Sequence, residues 1–196
     1  MMTSLSTTAP PGGGDRPPPR PGGGGPQAFD TVRDLPIGLS HDVRVYGCRR
    51  LNRILADTQM LYGLYKKHHW LVHGATFHQL HLLFDEHAGE QAAIVDALAE
   101  RVRSLGGVPV GDPRHAAEIT AVPRPPDGVE EVPAMLSRLL RAHEAILADA
   151  RDAAARLASL GDDGGNDLVV SGVIRTGEAQ VWSLSEHLVD VPPAHM

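Results

Sequence analysis

The sequence predicts an all-α fold, a bundle of four long helices. Three observations predict it. Apolar residues recur at a period of about 3.6 in four separate stretches. A connection broken by Pro109, Pro113, Pro123, Pro125 and Pro126 parts the second stretch from the third. Helix-stopping residues, Gly106-Gly107, Gly161 and Pro192-Pro193, fall where the periodic stretches end.

The chain reads as a disordered Pro/Gly-rich arm over 1–36, a helical domain over 37–190 and a short tail over 191–196. From Pro10 to Pro26, 14 of 17 residues are Gly or Pro, which leaves too little apolar surface to offset the entropy of ordering. The first helix starts at Ser40 or Asp42, both good N-caps, and ends near Gly74. Its stripe runs through Val45, Cys48, Leu51, Leu61 and Tyr65. Arg44, Arg49, Arg50 and Arg53 cluster at its start, either as a solvated, salt-bridged face or as a phosphate patch. The second helix spans Phe77 to Leu105, with Leu80, Phe84, Ala88, Leu98 and Val102 on its apolar face. Residues 108–128 hold one short helix near Arg114–Ile119. So long a link lets the third helix run parallel to the second. That third helix covers Val132 to Leu160, with Pro133 in its first turn. On its apolar side His143 reads as a hydrogen-bonded core histidine. Gly161 to Asp167 reads as a tight acidic turn, and the fourth helix runs from about Asn166 to Asp190. The Val169, Val170, Val173 and Ile174 run would suit a strand, but the helical period continues through Val181, Leu184 and Leu188.

Composition bounds the function. The 196 residues carry a formal charge of −6. Phosphate contacts need cations, so an acidic chain is not a default nucleic-acid binder, and any such role needs a local basic patch. A single cysteine, Cys48, excludes an internal disulfide and fits a reducing cytoplasm. The N-terminus lacks the basic and apolar regions of a signal peptide, and no apolar run is long enough for a membrane span.

The chemistry concentrates between Lys66 and Gly107. His69, His81, Asp85, Asp96 and Glu100 are ligand types suited to hard or borderline metals. At about 100° per residue, the last four share one face of the second helix. Yet Asp85 and Asp96 lie roughly 16 Å apart along its axis, too far to serve one ion in one chain. Between the pairs sit Ala88, Gly89, Ala92 and Ala93, small residues that let another helix approach. The spacing therefore predicts a two-fold dimer with antiparallel second helices. His81 and Asp85 of one chain then face Asp96 and Glu100 of the other, and His69 completes each site. Asp96 and Glu100 are like charges one turn apart, a small cost unless a cation sits between them.

HHWLVHGATFHQLHLLFDE, then Asp96, Glu100 and Arg101, then SLGG, closely resembles the Dps family, the DNA-binding proteins from starved cells. The resemblance covers roughly Leu51 to Leu188. It implies a ferritin-like four-helix bundle that assembles as a hollow dodecamer. It also implies an inter-subunit di-iron site with His69, His81 and Asp85 from one subunit and Asp96 and Glu100 from its two-fold mate. The implied activity is that of a ferroxidase: iron(II) is oxidised by hydrogen peroxide or oxygen, and the ferric product is stored as mineral. Trp70 lies beside His69 as in the family, either packed in the core or acting as an electron donor near iron. Acidic residues in the third turn line a three-fold pore in the family, which here implies Asp162, Asp163 and Asp167, alongside a plainer helix-capping role. Some members grip DNA with a lysine-rich arm. This arm holds Arg16 and Arg20 and no lysine, so nucleoid compaction is the second function class.

Ordinary ferritins and bacterioferritins are excluded because their intra-subunit site uses Glu-x-x-His, a motif this chain lacks. A non-catalytic helical adaptor is the third class and would bind no iron. His68, His73, His78 and His87 are candidates for additional zinc or for solvent exposure, and His41 with Asp34 or Asp42 for a further outer metal site.

Overall fold

The computed structural model describes residues 26–189. These form helices α1 (His41–Leu71), α2 (Phe77–Ser104), α3 (Pro113–Ile119), α4 (Val132–Ser159), α5 (Asp163–Asp167) and α6 (Arg175–Glu186). A π-helical segment, Leu168–Ile174, makes α5 and α6 one continuous fourth rod. No strand occurs among the described residues.

Ser40 begins α1, its hydroxyl accepting from the Val43 amide. Val72 ends the helix, its amide donating to the His68 carbonyl. Gly74, at φ +87°, then turns the chain toward α2. The two helices pair antiparallel: Cys48 contacts Val102, Tyr65 meets Phe84, and His69 meets His81. Arg50 bonds Asp149 and Tyr65 bonds His143, so α4 also runs against α1. By the same ordering α2 and α4 run parallel, as the long connection requires. Leu51, Leu55, Phe84, Leu98, Met135, Leu139 and Leu184 are fully buried where the rods meet. The connection is anchored by Asn52 and Asp57, which bond Val110 and Ala121 backbone amides.

Several expectations are corrected. The arm is not free up to residue 36. Gln27 donates to the Gly106 carbonyl, the Arg33 amide does the same, and Phe29 packs edge-on against His115 at 4.5 Å. Residues 1–25 and the tail after 189 lie outside the described residues. Arg44 is neither on a solvated face nor in a phosphate patch: it is buried, bonded to Asp34 and to the Arg33 carbonyl. Arg50 pairs with Asp149 and Asp152, which leaves the expected basic cluster divided.

The acidic turn is also shorter than expected. The chain reverses at Gly161, φ +77°, and Asp162. Asp163 to Asp167 are already helical because the Asp162 carboxylate caps the Gly165 amide at 2.8 Å and pairs with Arg101. A Cβ on Gly165 would lie 2.5 Å from that carboxylate, so glycine is required there. The fourth rod ends at Glu186, short of Asp190.

Candidate metal centre

The end of α1 and the start of α2 bring three expected ligands together. The His69 and His81 rings stack with centroids 3.8 Å apart. Each is held by the other's backbone: His69 Nδ1 bonds the His81 carbonyl at 2.8 Å, and His81 Nδ1 bonds the His69 carbonyl at 2.9 Å. A carbonyl only accepts, so both Nδ1 atoms carry the proton. In the neutral form of each ring this tautomer leaves the lone pair on Nε2, the atom a metal ligand would use. Phe77 stacks on the far side of His81 at 5.1 Å and fixes its ring plane.

One turn beyond His81, Asp85 places Oδ1 4.0 Å from His69 Nε2. That oxygen also receives the Lys66 ammonium at 2.5 Å. The Lys66 hydrogen bond holds the Asp85 carboxyl below the usual carboxylate range. Lys66 was not singled out in the sequence. Its signal was positional, since it lies three residues before His69 on the same helix face.

Asp96 and Glu100 are exposed on α2, away from this cluster. Among the described residues neither makes an ion pair or a side-chain hydrogen bond, so no internal cation relieves their mutual repulsion. Among the described residues, no three His, Cys, Asp or Glu groups of one protomer are arranged to hold a metal. Trp70 is 69% exposed beside Lys66, which rules out the core-packing role within the protomer.

The remaining candidates separate by burial. His68 and His87 are buried, which removes them from any surface zinc site, whereas His73 and His78 are exposed. His143 is the expected core histidine, 2.7 Å from the Tyr65 hydroxyl. Asp34 is engaged by Arg44, with His41 3.9 Å away. Asp162 is fully buried, which excludes it from a pore wall; its carboxylate caps α5 and pairs with Arg101. Asp163 and Asp167 are exposed.

The helical bundle and its clustered His and carboxylate side chains define a ferritin-like protein, and residues 48–193 match the ferritin-like domain family. The chain is 64% identical to DpsC from Streptomyces coelicolor, whose structure covers 86% of this chain and 98% of its own with a TM-score of 0.85. It is 39% identical to a nutrient stress-induced DNA-binding protein of a Synechococcus strain, over 78% of this chain and 86% of that relative. A Dps protein from Vibrio cholerae O1, described as one of a broad superfamily of ferritin-like diiron-carboxylate proteins, matches at 26% identity and TM-score 0.75, over 84% of this chain and all of that one. The chain belongs to the Dps family. Its function is that family's iron oxidation and storage.

Proposed function

We propose that the chain is a ferroxidase whose catalytic site is shared between two-fold-related protomers. His69, His81 and Asp85 come from one, and Asp96 and Glu100 from its mate. The observation that carries this reading is the His69–His81 pair, both rings tied through Nδ1 to backbone carbonyls, with His69 Nε2 4.0 Å from the Asp85 carboxylate. The supporting fact is the isolation of Asp96 and Glu100, two exposed carboxylates awaiting a cation. Exposed Gly89, Ala92 and Ala93 lie between the two halves of the face and permit close approach of a second α2.

Ferrous iron is the substrate. Imidazole nitrogen binds the ferrous ion, while carboxylates stabilise the ferric product. With hydrogen peroxide as the preferred oxidant, two ferrous ions each give one electron. The O–O bond breaks, and both oxygens leave as hydroxide or water without releasing hydroxyl radical. The mutually bonded rings contribute rigidity, so little reorganisation accompanies oxidation. The chain assembles as a hollow dodecamer that stores the ferric product, and exposed Asp163 and Asp167 line the pore through which ferrous iron passes. Trp70, beside His69, serves as an electron donor near the iron, and zinc is a second ion the same ligands accept.

Replacing both His81 and Asp85 with Ala should slow peroxide-driven ferric absorbance growth by at least roughly a hundredfold, since even supporting residues of metal sites cost 10–100-fold. The assembly mass should stay that of the wild type. A double variant oxidising iron at the wild-type rate would remove the site assignment. DNA binding is the second reading, favoured by the names of relatives such as the Synechococcus protein. A gel shift in dilute salt that vanishes on deleting residues 1–29 would support it, assigning the contact to Arg16 and Arg20.

A further inference from the structure

We propose that Lys66 is a built-in cation placeholder: its ammonium occupies the cation position at Asp85, and an incoming ferrous ion must displace it. Lys66 thereby sets the affinity of the site and its preference for divalent over monovalent cations. The inference rests on the metal-site reading above.

The geometry argues it directly. Lys66 Nζ stands 2.5 Å from Asp85 Oδ1, and the same oxygen is 4.0 Å from His69 Nε2. The carboxylate is thus already neutralised, and an ion arriving there competes with a fixed positive charge. A monovalent ion offers Asp85 no more charge than the ammonium does and bonds imidazole weakly, so it gains little by exchange. A divalent first-row ion offers twice the charge and also takes the Nε2 lone pairs. Only that class of ion overcomes the displacement cost.

Lys66 also has somewhere to go. Within the single protomer its side chain is 24% exposed and the Asp85 side chain 54% exposed, so the pair lies outside the bundle core. The four-carbon stem is flexible. The ammonium lies 6.0 Å from the centroid of the exposed Trp70 ring, whose face attracts cations. Trp70 is therefore the landing site for the displaced charge.

Calorimetric titration of metal-stripped protein with cobalt(II) reads affinity without turnover. Lys66→Met, which keeps the stem, should bind about two- to fivefold tighter, the range of an exposed ion pair. Lys66→Arg should bind more weakly than wild type, because a guanidinium holds a carboxylate with two hydrogen bonds. Asp85→Asn should lose most of the affinity. Unchanged or weaker cobalt binding in Lys66→Met, with affinity lost in Asp85→Asn, would overturn the placeholder while leaving the site assignment intact. Unchanged binding in Asp85→Asn would overturn the assignment and the placeholder with it. Wild-type assembly mass in each variant separates these outcomes from misfolding.

Discussion

A neutral imidazole has one N–H and one lone pair, and this protein uses the two differently in its two groups of histidines. At His69 and His81 the N–H is tied to backbone and the lone pair is offered outward. At His68, His87 and His143 the ring is buried instead, and burial is the first cause that lowers each to about 4. Their unfolded value is about 6.5. The unfolded chain therefore binds more protons than the folded one below that pH, and stability must fall as pH drops from about 6.5 toward about 4. Above that window all three are neutral in both states and contribute no slope. Thermal melting followed across this range should show the midpoint decreasing as acid is added. His143→Gln should flatten part of the decline while weakening the contact to Tyr65; an unchanged slope would mean His143 is not among the groups responsible. The sequence foretold His143 in the core because it sits on an apolar stripe. It left the last stripe position of α1 open between His68 and His69, which depends on how the helix is rotated, and it did not foretell His87.

Helices whose ends are marked by local signals were legible to within a few residues. Ser40 as a cap, Pro133 in a first turn, and Gly106 after α2 are decided by neighbouring backbone alone. The start of the fourth rod was not legible, because GDDGGND has turn composition and the deciding contact comes from Arg101, 61 residues away. The π-helical Leu168–Ile174 was equally hidden, as its β-branched run gives the same apolar stripe as an α-helix. This separates two roles for the acidic residues. Asp162→Ala removes a buried cap and strands Arg101, and should cost about 2–4 kcal/mol, read as a lower denaturation midpoint. Asp163→Asn with Asp167→Asn removes only exposed charge. It should leave the midpoint within about 0.5 kcal/mol of wild type, yet slow iron uptake if these residues focus ferrous iron. Equal destabilisation by both variants would show that the exposed pair is also structural.

At the scale of the whole molecule, the decisive feature is what one protomer lacks. The ligand types and their spacing were legible, and so was the impossibility of joining both ends of α2 at one ion. The same spacing also implied the operator, a two-fold axis pairing antiparallel second helices, which one protomer alone does not display. Mixed assemblies can supply that operator. One variant carries His81→Ala with Asp85→Ala, the other Asp96→Ala with Glu100→Ala, and each should be inactive alone. In a dimer of one of each, one site combines both damaged halves and stays dead. The other combines both intact halves and should oxidise iron at the wild-type rate per site. Dissociating and reassembling the two variants together should therefore restore ferric absorbance growth in proportion to the mixed dimers formed. A site contained within single protomers would yield no restoration at any mixing ratio, because every chain would still carry a damaged site.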